Sequence, residues 1–112
     1  MSQQNNYQVS LSTCTGLHFF NSEKIIRMEA RSNYTSIYFT DHKPILVARI
    51  LKDYEEMLHA YGFVRTHRSH LVNRKYISYV DVNGNIMMQD SSKAEISRRR
   101  KGAIMRVLKT GF

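Results

Sequence analysis

Residues 63–73 read Phe63-Val64-Arg65-Thr66-His67-Arg68-Ser69-His70-Leu71-Val72-Asn73, and Arg74, Lys75 and Tyr76 continue the stretch without an acidic residue. Two apolar pairs, Phe63/Val64 and Leu71/Val72, bracket a polar centre rich in arginine and histidine. Such pairs anchor a segment onto a core. The polar centre is then expected as a short irregular segment whose donors, Arg65, Thr66, His67, Arg68, Ser69 and His70, are held against the surface. Asn73 is placed to cap a short helical turn through Arg74 and Lys75.

What the pairs pack on can be read outward from there. Upstream, short β-like runs alternate with turn signals: Val9 to Thr13 and Leu17 to Phe20 around Thr15-Gly16, Lys24 to Ala30, Tyr34 to Thr40, then Asp41-His42-Lys43-Pro44 leading into Ile45 to Ala48. The period then changes. Ile50, Leu51, Tyr54, Met57, Leu58 and Tyr61 follow helical spacing, and Gly62 stands where a helix stops. This predicts an amphipathic helix packed on strands.

Downstream, Ile77 to Val82 and Ile86 to Gln89 flank Asn83-Gly84, whose composition predicts a type I′ hairpin turn with positive φ at both positions. A strand over Lys93 to Ile96 follows. A second helix begins near Ser97, a plausible N-cap, and carries Ile104, Val107 and Leu108 along one side. The fold class is therefore mainly β with one or two packed helices. At 112 residues the chain fits a single domain around one core.

Charge is distributed unevenly. The net charge is +8, the first 62 residues carry equal numbers of acids and bases, and the last 50 carry eleven Lys/Arg against Asp81, Asp90 and Glu95. A field of one sign on part of a small domain attracts polyanions. Other classes drop out. No apolar run approaches the roughly 20 residues of a membrane-spanning helix, and the polar start MSQQNNYQ has no leader pattern, so a cytoplasmic location is expected. The single cysteine, Cys14, can form no internal disulfide and is expected in a strand.

Ser97-Arg98-Arg99-Arg100-Lys101 is the second unusual run. If Ser97 caps the helix, three guanidinium groups crowd its positive end, a cost of about 0.3–1 kcal/mol each that an anionic ligand would reverse. The alternative is a helix that starts later, with the run in a solvated loop. In the first basic stretch, the Arg68 fork suits guanine O6 and N7. His67 and His70 lack a carboxylate nearby in sequence, so they make an incomplete metal or catalytic site, and no metal or cofactor is expected.

These blocks, with MEARSNY upstream and ISRRRK downstream, resemble the LytTR family of bacterial DNA-binding domains, the output module of many two-component response regulators. The likeness runs from about Val9 to Leu108, leaving 1–8 as a polar N-terminal extension. It implies an elongated arrangement of small antiparallel sheets whose loops and short helical turn enter successive major grooves of double-stranded DNA. It also implies transcription regulation, without catalysis, at promoters with paired half-sites, where a dimer could assemble.

Carried over by position, the resemblance places Arg68, Arg99, Thr35 and Asn33 at bases. It places Tyr34, His67, Ser69, Ser97 and Arg98 at or near the backbone, and Arg65, Arg74, Lys75, Arg100 and Lys101, the remaining cations of the two basic runs, are expected to join them there. Thr35 stands where some members carry a longer basic side chain. Family members commonly have a receiver region upstream, and the sequence leaves open an output fragment or a stand-alone regulator. Two other classes remain to be weighed: an RNA-binding β domain stacking bases on Tyr7, Tyr34, Phe39 or Tyr76, and a phosphodiesterase using His67 and His70.

Overall fold

The computed structural model describes residues 7–110, so most of the expected polar extension, and residues 111–112, lie outside the described residues. The strands are β1 (Gln8–Thr13), β2 (Gly16–Asn21), β3 (Ile25–Arg31), β4 (Tyr34–Phe39), β5 (Ile45–Val47), β6 (Phe63–His67), β7 (His70–Asn73), β8 (Ile77–Val80), β9 (Asn85–Met88) and β10 (Lys93–Glu95). The helices are α1 (Leu51–Leu58) and α2 (Lys101–Thr110). They form three antiparallel sheets: β1-β2, β5-β4-β3-β7-β6 and β10-β9-β8. This is the mainly β, two-helix architecture of small sheets that the sequence implies.

The stretch 63–73 is a β-hairpin, not an irregular segment. Phe63 pairs with Asn73, Val64 with Val72 and Arg65 with Leu71; the register then slips, and His67 meets His70 across the Arg68-Ser69 turn. Successive strand residues face opposite sides of a sheet. Phe63 and Leu71 accordingly enter a cluster with Val9, Met28, Ile37 and Leu58 on one face. Val64 and Val72 enter another with Ile86, Ile96 and Ile104 on the other. The single core expected from length is thus two clusters, one on each side of the five-stranded sheet. Burying each large anchor is worth about 1.5–3 kcal/mol, enough together to hold a cationic turn in one place.

Several local expectations hold. α1 buries Leu51, Tyr54 and Leu58, continues as a short 3-10 turn, and stops at Gly62, whose φ of 87° is left-handed. Asn73 does cap the turn after β7, accepting from the Lys75 amide at 3.1 Å while its own amide donates to the Ile25 carbonyl.

Others need correction. The β8–β9 connection is not a type I′ turn: Gly84 alone adopts positive φ, and its N–H closes onto the Asp81 carbonyl at 3.1 Å. The cause is Asp81, whose carboxylate accepts the Asn83 and Asn85 amides and favours a three-residue loop ending in a left-handed glycine. Cys14 lies exposed in the turn between β1 and β2 instead of in a strand. α2 starts at Lys101, because Ser97–Arg100 form a tighter turn closed by the Arg100 amide on the Ser97 carbonyl at 3.2 Å. Its buried side is Ile104 with Met105 and Leu108, and Val107 faces solvent.

Candidate nucleic-acid interface

β3 runs antiparallel to both β4 and β7, so the Ser32-Asn33 turn and the Arg68-Ser69 turn emerge at the same end of the central sheet. The Ala30 amide donates to the Ser69 carbonyl at 2.9 Å and fixes the two turns side by side. Arg31 to Tyr34 are exposed, and Ser32 holds a φ of 59°, a left-handed conformation that costs a non-glycine residue about 1 kcal/mol. The third segment arrives after β10. There the Ser97 amide donates to the Thr66 carbonyl at 2.7 Å, laying the Ser97–Arg100 turn against the bulged strand β6.

Between the second and third of these segments opens a shallow cleft of about 390 Å³, lined by Arg65, His67, Arg68, Ser97, Arg99 and Arg100 with Glu55. Arg68 and Arg98 to Arg100 are exposed, and none of their guanidinium groups makes an ion pair or hydrogen bond among the described residues. Such groups keep their full donor complement for a ligand.

Five residues placed at DNA by their sequence position are engaged in holding the fold. Thr35 is fully buried on β4 and donates its hydroxyl to the Arg49 carbonyl at 2.6 Å, so it does not reach a base. Arg65 donates from Nε to the His67 carbonyl at 2.9 Å, from one terminal nitrogen to the Arg68 carbonyl at 2.6 Å, and from the other to Glu55 at 2.7 Å. It clamps the turn from beneath, with each of its three guanidinium nitrogens already bonded within the fold. Arg74 donates to the Leu108 carbonyl at 2.7 Å and so docks α2. Lys75 lies 3.4 Å from Glu23, and both residues line a separate cleft at the opposite end of β7. Lys101 donates to the Val82 carbonyl at 2.6 Å, pinning the start of α2 to the β8–β9 loop.

Of the other expected contacts, Asn33 lies on the first turn with Tyr34 opening β4 beside it, Ser69 lies on the second with His67 closing β6 beside it, and Ser97, Arg98, Arg99 and Arg100 lie on the third. His67 is half-buried, and its Nδ1 accepts the Ser69 amide at 3.0 Å. His70 is 8% exposed, and its Nδ1 is buried without a hydrogen-bond partner. Burial lowers the His70 pKa from its ordinary value and outweighs the opposing pull of Glu29. The two rings stand 5.4 Å apart.

Sequence reasoning missed Arg27, which is buried in the apolar run of β3. It donates to Glu29 at 2.8 Å and to Ser92 at 2.9 Å, and lies 4.0 Å over the Tyr38 ring. Burial alone would raise the Glu29 pKa, but the Arg27 hydrogen bond and charge outweigh it and hold that carboxyl below its usual value. A lone arginine between Ile26 and Met28 was the available signal: such a charge must find a partner inside.

A small β domain that presents unpaired guanidinium groups on adjacent, mutually tethered turns defines the class of polyanion-binding modules. The chain belongs to the LytTr DNA-binding domain family, whose model matches residues 15–109. Its fold is similar to a solved LytTr DNA-binding domain from Bacillus cereus, with a TM-score of 0.76, 23% identity, and coverage of 94% of this chain and 97% of that one. No curated protein matches the chain in a sequence comparison. Among the described residues no helix is long and apolar enough to cross a membrane.

Proposed function

We propose that this domain binds double-stranded DNA in a sequence-dependent way, as the output module of a cytoplasmic bacterial transcription regulator under two-component control. The observation that carries the reading is the set of unneutralised arginines, Arg68 and Arg98 to Arg100, on two turns joined through Thr66 and Ser97. Arg68 and Arg99 read base edges as guanidinium forks, with Asn33 on the neighbouring turn as a third reader. Tyr34, His67, Ser69, Ser97, Arg98 and Arg100 meet phosphates and set the register. Paired half-sites, occupied by two copies, complete the reading.

The competing classes lose support from the same geometry. Of the four aromatic residues expected to stack on bases, Phe39 is buried, Tyr76 donates its hydroxyl to the Glu23 carbonyl, and Tyr7 stacks on Tyr61, which leaves Tyr34 alone among them as an RNA stacking platform. A two-histidine phosphodiesterase would need both rings accessible, and His70 is buried.

Selection of bound sites from a random duplex library tests the proposal. A recovered motif with paired half-sites supports it, and an unenriched pool at a salt concentration where binding persists refutes sequence reading. Affinity should also fall with log[salt] at a slope near −0.9 per phosphate neutralised.

A further inference from the structure

The histidine pair that looked incomplete in sequence gains a carboxylate in space. His67 on β6, His70 on β7 and Glu95 on β10 each bring one donor atom within 4.8 Å of the others. His67 Nε2 lies 3.8 Å from Glu95 Oε1. His70 is more than nine-tenths buried, and no other protein group claims its Nδ1. We propose that these three side chains form a binding site for a divalent transition ion of the zinc type, at the root of the Arg68-Ser69 turn.

The donor set suits such an ion. Two imidazoles and one carboxylate match zinc's preference for nitrogen and oxygen ligands at about 2.0–2.2 Å, with a fourth position left for water. Tetrahedral bonds of that length put donor atoms about 3.3 Å apart, so the widest separation in the trio, up to 4.8 Å, needs to close by about 1.5 Å. Glu95 is exposed at the end of a strand and free to turn inward.

Metal entry has a structural consequence. Because the Ser69 amide donates to His67 Nδ1, the neutral ring carries its proton on Nε2, the atom facing Glu95. Ligation through Nε2 shifts that proton, by way of solvent, to Nδ1, which can then no longer accept from Ser69. The ion and the Ser69 tether therefore exclude one another, and occupancy loosens the turn that carries Arg68. The effect on DNA rests on the function proposed above: the metal-loaded domain binds its site more weakly.

The test is a Zn²⁺ titration of the full chain without DNA, followed by calorimetry and by NMR of backbone amides and imidazole nitrogens. One ion per chain is expected, with the His67 and His70 ring signals and the Ser69 amide moving together. His67→Ala and Glu95→Gln should each weaken binding by about tenfold or more, whereas His59→Ala, in the distant cleft, should not change it. Absence of saturable binding, or binding unchanged in both His67→Ala and Glu95→Gln, overturns the site. Adding the selected DNA separates the two readings: bound zinc with undiminished DNA affinity removes the coupling, while missing NMR shifts remove the site itself.

Discussion

The amide of Ser97 donates to the carbonyl of Thr66 at 2.7 Å, and this contact joins two basic segments that lie thirty-one positions apart in the chain. Thr66 is available because β6 bulges there: the register slip between Arg65 and His67 leaves its carbonyl turned toward the incoming turn instead of a sheet partner. The contact brings Arg68 and Arg99 to one cleft. Cations that would repel one another in isolation are held together by backbone bonds, which do not weaken as the guanidinium groups approach an anion.

The free and the engaged cations should separate in binding experiments. Arg68→Ala and Arg99→Ala are expected to cost about 1–3 kcal/mol each on the selected site and much less on random duplex. Lys75→Ala, whose side chain pairs with Glu23 at the far end of β7, should change affinity by less than about 0.5 kcal/mol. Fluorescence anisotropy on both DNAs measures this, and a Lys75→Ala loss equal to that of Arg99→Ala would contradict the assignment.

Arg65 is the positioning residue of the site. Its fork holds the His67 and Arg68 carbonyls, so Arg65→Ala should lower stability by about 1.5–3 kcal/mol and weaken specific binding by releasing the turn that carries Arg68. Glu55→Gln removes only the partly exposed partner charge and should cost about 0.2–1 kcal/mol. Urea unfolding with DNA titration of each folded variant distinguishes the roles. An Arg65→Ala protein of unchanged stability that lost affinity equally on all DNA would mark Arg65 as a phosphate contact.

How far the sequence reached is clearest in residues 63–73. The anchors were legible because two adjacent apolar residues in a strand signal burial on both faces. The hairpin was not, because Arg68-Ser69 lacks the Asn-Gly or Asp-Gly code and a bulge breaks the alternation. Charge type could not separate Arg65 from Arg68, since the difference lies in which carbonyls surround the guanidinium. Glu95 was invisible for a related reason: it reaches the histidines only through the pairing of β10 with β9, twenty-five positions further along the chain.

Thr35 offers a sharper test of sequence carry-over against geometry. Thr35→Val keeps the β-branched shape but leaves the Arg49 carbonyl without its hydroxyl donor, at an expected cost of about 1–2 kcal/mol in stability. The motif recovered from random DNA should be unchanged. A changed base preference in a variant of full stability would restore Thr35 to the interface.

The β8–β9 loop should report acid directly. The Asn85 backbone amide and side-chain amide, with the Asn83 amide and the Lys101 charge, hold the Asp81 carboxyl below its ordinary value of 3.8 despite slight desolvation. A carboxyl whose folded pKa is depressed stabilises the fold above its unfolded pKa, and that contribution is lost as pH falls through the lower folded value. Unfolding midpoints of the parent protein should therefore drop on acidification below about pH 4. In Asp81→Asn, which keeps an acceptor oxygen but cannot titrate, this part of the drop should be missing. Because Lys101 leads into α2 directly after the Ser97–Arg100 turn, the Arg99 amide should shift with the Asp81 carboxyl in an NMR titration. An Arg99 signal that ignores the Asp81 midpoint would show that the loop does not bear on the DNA-facing turn.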